Sequence, residues 1–174
     1  MFLFRGDMRT FVVAVWRGIP WKENPPANTT GQGESGVRIS VIDGSNYFRG
    51  LLLLIRKDKR VTQPEIDMMR RIGKTLGFEK EFCENAIADI LENRYIEDAP
   101  PVFSAQELAI KFVKDGIAVS FSDADPHPAE EEWLRSTATK NGLDPKWFDH
   151  ELENTQSRGS HSGRLEVDDL TVMY

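Results

Sequence analysis

Displacing this chain by 65 positions brings two stretches into register without a gap, and that duplication constrains the fold more than any other feature. Asp58 falls on Asp123, Glu65 on Glu130, Met69 on Leu134, Arg70 on Arg135 and Gly77 on Gly142. Phe78 falls on Leu143 and Phe82 on Trp147. Each copy reads as a helix, a loop carrying an acid, a capped helix, a glycine stop and a further helix. The expectation is a compact all-α bundle of about six helices, built from two pseudo-repeated helix–acidic loop–helix units. At 174 residues the chain is long enough for one hydrophobic core.

The local signals agree with this reading. Asp43 or Ser45 caps a helix running to about Lys57, with Phe48, Leu51, Leu52 and Ile55 on one face. Thr62-Gln-Pro-Glu65 is a capping box with proline in the first turn, and the helix it opens carries Ile66, Met69, Ile72 and Leu76 before stopping at Gly77. Glu79–Asn93 lines up Phe82, Ile87, Ile90 and Leu91. Ser104-Ala-Gln-Glu107 reads as a second capping box, opening a helix with Leu108, Phe112, Val113, Ile117 and Val119. Pro128 starts a helix with Trp133 and Leu134 that ends at Gly142, and Asp144-Pro145 starts the last, with Trp147 and Phe148, through about Asn154.

Outside the repeat the sequence reads as extension. Residues 1–40 are expected to be poorly ordered, because prolines and the run NTTGQGESG break everything after the strand-like Thr10–Trp16. Gly33-Glu34 ahead of Val37 is compatible with a purine-rich ribosome-binding site and a GTG start codon, a side hypothesis under which the native N-terminus would lie near Val37. The helical domain is assigned to 41–154. A flexible tail is expected over 155–174, with Gln156–Gly163 a linker and Leu165–Tyr174 either a docking peptide or a frayed end.

Composition narrows the function classes. A net charge of −6 argues against nucleic acid as a partner, since phosphate contacts need a basic face. The single Cys83 excludes a disulfide scaffold and a thiolate zinc finger, and its place between Phe82 and Ala86 reads as a buried thiol. The longest apolar runs, Leu51–Ile55 and Phe11–Trp16, are far short of the ~20 residues that span a bilayer. The expected location is therefore cytoplasmic. There is no phosphate-binding loop and no nucleophile motif, and the three histidines are scattered. No enzymatic activity is expected, the alternative being a metal-dependent hydrolase. The aromatic set Phe82, Phe112, Trp133, Trp147 and Phe148 reads as core.

Charge separates the two copies. The first loop, Arg56-Lys-Asp-Lys-Arg60, is basic and reads as a solvated loop or a contact for an acidic surface. The second gathers Asp123, Asp125, His127, Glu130 and Glu131. As a ligand set these oxygens and one imidazole suit a divalent cation, Ca²⁺, Mg²⁺, Mn²⁺ or Zn²⁺. As a helix start, His127 is the N-cap, Pro128 the first residue and Glu130 the capping glutamate, with Glu131 an ordinary first-turn acid. An EF-hand match fails, because Pro128 stands where the loop needs glycine and Leu134 where it needs glutamate. The cluster also suits a protein partner with a basic surface.

In these loops the chain resembles the TerB-like family of helical domains, named for tellurite resistance. That family repeats Asp-Gly-x-hydrophobic-Ser/Thr-x-x-Glu between helices. The first copy, Asp58-Lys-Arg-Val-Thr-Gln-Pro-Glu65, keeps the Asp, the hydrophobic residue, the Thr and the Glu. The second, Asp123-Ala-Asp-Pro-His-Pro-Ala-Glu130, keeps Asp and Glu and departs with Ala124, Pro126 and His127. The resemblance covers roughly Val41–Asn154. It implies a compact helical bundle with a divalent-cation or stress-response role, and no settled biochemical activity.

Overall fold

The computed structural model describes residues 36–57, 59–92, 98–122, 126–158 and 163–173. A short strand β1 (Val37–Ser40) leads into α1 (Val41–Ile55), α2 (Gln63–Thr75) and α3 (Lys80–Glu92). The second unit follows as α4 (Gln106–Ser120), α5 (Pro128–Lys140) and α6 (Pro145–Arg158). A 3-10 turn, Glu166–Asp169, and strand β2 (Leu170–Met173) close the order. Among the described residues the architecture is therefore an all-α bundle of six helices, with one pair of four-residue parallel strands added to it, Val37 opposite Leu170 and Ser40 opposite Met173. The strand-like Thr10–Trp16 lies outside the described residues.

The 65-residue period is kept by the secondary structure itself. Displaced by that amount, α1 covers the bounds of α4, α2 covers those of α5, and Lys80 at the start of α3 falls on Pro145 at the start of α6. The packing keeps it too. In each unit the first helix packs on the second and third, the second packs on the third, α1 meets α4, and the crossed pairs α1–α5 and α4–α2 both touch. Exchanging the two units leaves this pattern unchanged.

The turns repeat bond for bond. Gly77 and Gly142 both take positive φ, 81° and 74°, a region where a Cβ is strained. Phe78 N donates to Gly73 O (2.9 Å), and Leu143 N donates to Ala138 O (3.0 Å), closing the same helix-ending motif. An ion pair across each helix–helix step is shared as well, Arg70 with Glu84 at 3.2 Å and Arg135 with Asp149 at 2.6 Å.

The core lies along α1 and α4. Tyr47, Leu51, Leu53, Leu54 and Ile55 on α1 are completely buried, as are Phe112, Val113, Ile117 and Val119 on α4. The expected single apolar face of the first helix is thus a whole circumference over its second half, as befits a helix surrounded by others. Cys83 is buried, and a Cβ added to Gly73 would stand 2.3 Å from its Sγ, so α2 and α3 approach at a glycine. Burial also pushes the thiol up to about 11, which leaves it unreactive at neutral pH.

Four local expectations are corrected. The cap of α1 is Ser40 rather than Asp43 or Ser45: its Oγ accepts from Asp43 N at 3.1 Å and donates to the Asp43 carboxylate at 2.8 Å. Ser104 caps nothing. Its N–H and Oγ both donate to the buried Asp43, at 3.1 and 2.7 Å, tying the connection between the units to the start of α1, and Ala105 is left as the N-cap of α4. The flexible tail is the third. α6 continues to Arg158, and beyond it Leu165, Val167 and Leu170 are buried, with Val167 completely so. Likewise Val37–Ser40, assigned to the poorly ordered extension, forms a strand with Ile39 buried.

Candidate functional site

The acidic region of the second unit is built by the start of α5. His127 holds the N-cap, in extended conformation, and its Nδ1 accepts from Ala129 N at 3.2 Å. His127 N donates in turn to Glu130 Oε2 at 3.3 Å. Glu130 is 3% exposed, its carboxylate folded back against its own helix end as the capping spacing predicts. Glu131 reaches Arg135 one turn on, at 3.1 Å, and Arg135 also pairs with Asp149 and lies over the Phe148 ring at 4.7 Å. These carboxylate contacts, that of Asp149 above all, raise the guanidinium's pKa. Asp123 and Asp125 lie outside the described residues.

The first unit supplies an internal control. Thr62 N donates to Glu65 Oε2 at 2.7 Å, and Glu65 is as buried as Glu130. The glutamate at this station caps a helix in both copies, whatever the charge of the loop before it. His127, Glu130 and Glu131 are thus brought together at one helix start, each with its own structural partner. Among the described residues no group of three or more His, Cys, Asp or Glu side chains is placed to hold a metal ion.

The basic loop of the first unit is partly built into the fold. Arg56 and Lys57 both pair with Asp98, and the Lys57 ammonium sits 5.4 Å from the centre of the Trp133 ring. Their side chains are 19% and 15% exposed, tied to the connection between the units and, for Lys57, to α5, rather than forming a solvated face. Asp58 lies outside the described residues.

One polar cluster escaped the sequence reading. Asp115, on the buried side of α4, is 1% exposed and accepts three hydrogen bonds. Tyr47 Oη donates at 2.7 Å, Glu166 N at 2.6 Å and Val167 N at 2.9 Å. Burial raises its pKa to about 6, against the opposing pull of those donors. The same burial, with the Asp115 charge next, raises the Tyr47 phenol well above its ordinary value. The available signal was an acid inside the apolar stripe from Leu108 to Val119, where helical spacing leaves it facing the core.

No helix among the described residues is long and apolar enough to cross a membrane. No family model, curated protein or solved structure matches this chain.

Proposed function

We propose that this chain is a non-enzymatic TerB-like helical module that makes protein contacts in a cytoplasmic bacterial stress system of the tellurite-resistance type, using the acidic start of α5 against a basic partner surface. The observation that supports this reading is divergence on a common frame. Stations that hold the fold are alike in both units: Glu65 and Glu130, Gly77 and Gly142, Arg70 and Arg135. Stations at the second helix start are not. Thr62 and Ile66 in the first unit become the exposed His127 and the half-buried Glu131 in the second, next in sequence to Asp123, Asp125 and Glu132. Structural needs that are equal do not explain surface charge that differs.

The sharper form of the proposal adds a divalent cation, Ca²⁺, Mg²⁺, Mn²⁺ or Zn²⁺, on Asp123, Asp125, His127 and Glu130, with Glu131 an optional ligand. Glu130 and His127 would then serve the ion besides the helix end. A thermal melt of chelator-treated full-length chain, titrated with each ion, tests it beside an Asp123→Asn/Glu130→Gln variant. An ion at a hundredfold excess over Kd adds about 2.7 kcal/mol to the folded state. A saturable shift lost in the variant carries the cation form. Without a shift the interaction module remains, and it is tested by a lysine-rich probe peptide. Binding to the parent should fall in an Asp125→Asn/Glu131→Gln/Glu132→Gln variant, and equal binding by both would overturn the contact surface.

A further inference from the structure

The segment that follows the second unit sits where the connection after the first unit sits, one period earlier. Pro101 lies over Gly50 of α1, where an added Cβ would stand 2.9 Å from the proline ring. Displaced by 65, Gly50 becomes Asp115 and Pro101 becomes Glu166, and Asp115 is the residue that receives the Glu166 and Val167 backbone. The two stations share geometry and differ in chemistry. The first is apolar and is filled by a connection between α3 and α4. The second is a groove between α2 and α4, filled by a segment outside both units, so emptying it parts no helix from the next.

The groove is equipped for a particular kind of peptide. At its floor the Asp115 carboxylate takes two successive backbone N–H groups, a contact open to any residue but proline. Leu165 and Val167, two residues apart, are buried in it. Its rim is cationic: Lys111 and Lys114 meet Glu166 at 3.1 and 3.4 Å, and Arg71 pairs with Asp168. Beyond it the residues from Leu170 on add to β1 as a parallel strand. Backbone capture, alternate apolar sockets and strand addition are the elements by which domains bind extended peptides. The charge of the rim states which peptides these are.

We propose that the groove between α2 and α4 is an acceptor site for an extended acidic–apolar peptide of a partner protein, and that the chain's own Leu165–Met173 is its resident competitor. Partner access is then set by how often this segment lifts away. The site is separate from the acidic start of α5 and stands whether or not that surface binds anything.

The test uses the full chain with Val167→Asp, which puts a carboxylate into the apolar socket and beside Asp115. The probe is a fluorescent peptide with the sequence of residues 163–173. The variant should keep its helical circular dichroism and bind the probe saturably. The wild-type chain, whose own segment competes at the high local concentration of a tethered ligand, should bind roughly tenfold more weakly or worse. A probe with its first valine changed to aspartate should not bind, and added salt should weaken the complex through the Lys111, Lys114 and Arg71 contacts. A folded variant that ignores the probe overturns the proposal. So does loss of helix in both Val167→Asp and a second variant, Leu165→Ser/Leu170→Ser, because the segment would then be part of the core. A concentration-dependent dimer exchanging this segment would replace the partner by a second copy and overturn the proposal as stated.

Discussion

Asp115 makes a prediction whose sign runs against the usual behaviour of carboxylates. Most acids that accept hydrogen bonds in a fold have lowered pKa values and stabilise it as pH rises. Here burial outweighs three donors, and the folded value stands at about 6 against 3.8 for the free side chain. A folded state that holds the proton more tightly is favoured by protonation. The contribution of Asp115 is therefore fully present below about pH 4, and is lost as pH rises through about 6. The difference of roughly 2 units corresponds to about 3 kcal/mol. Other carboxylates titrate over the same range, so the measurement is a difference. Urea denaturation of the parent and of Asp115→Asn at pH 4.5, 5.5, 6.5 and 7.5 cancels what the two chains share. Asparagine carries no charge at any pH, but turns an N–H₂ toward groups that are themselves donors. It should therefore cost most at low pH, where the parent's proton resides, and progressively less toward neutrality. The parent-minus-variant difference should fall by about 2 kcal/mol across the series, the rest of the effect lying below pH 4.5. A difference independent of pH would show that Asp115 titrates as a free carboxylate, and would refute the account of a desolvated charge beneath the C-terminal segment.

Three further outcomes follow from the packing. Gly73→Ala should destabilise the chain by about 1–3 kcal/mol in urea melts, because the added methyl meets the Cys83 sulfur, and Cys83→Ala in the same chain should restore most of the loss. Gly77→Ala and Gly142→Ala should each cost about 1 kcal/mol; no atom lies within 4 Å of an added Cβ at Gly142, so its cost comes from the positive φ alone. The Cys83 thiol should react with Ellman's reagent only at the rate of unfolding, and labelling of the native chain within seconds would contradict its burial.

Legibility in the sequence followed the range of the forces involved. Thr62-Gln-Pro-Glu65 announces a helix because everything it needs lies within four residues, and α2 starts there. Ser104-Ala-Gln-Glu107 has the same spelling, yet Ser104 turns to Asp43, 61 residues away, because a buried carboxylate is a stronger claimant than an exposed helix end. The tail failed for a related reason. Leu165-Glu-Val-Asp-Asp-Leu170 has no helical stripe and many charges, so its composition resembles an unfolded end. What orders it is Asp115, Lys111, Lys114 and Arg71, none of them near it in sequence. At the acidic start of α5 the capping roles of His127 and Glu130 were readable from spacing, while the placement of Asp123 and Asp125 lies outside the described residues.

Duplication gives the chain a way to separate what holds it from what it can vary. At the glycine stops, the capping glutamates and the arginine ion pairs, both copies keep one solution, since the same bond must close in the same place. At one buried station where the copies differ, the difference is matched by a change in what lies against it. Gly50 accepts a proline ring; Asp115, its counterpart, accepts two backbone N–H groups and a phenol, and the phenol comes from Tyr47 on α1. A glycine at 115 would leave the Glu166 and Val167 amides without their partner, at about 1–3 kcal/mol for each buried donor. An aspartate at 50 would meet Phe112 and Pro101, which offer no hydrogen bond. The two residues therefore cannot be exchanged between units, even though the helices that carry them span equivalent bounds. The second unit thereby has a polar floor that the first lacks, and its occupant is held by backbone contacts to Asp115, by burial of Leu165 and Val167 and by ion pairs to Lys111, Lys114 and Arg71.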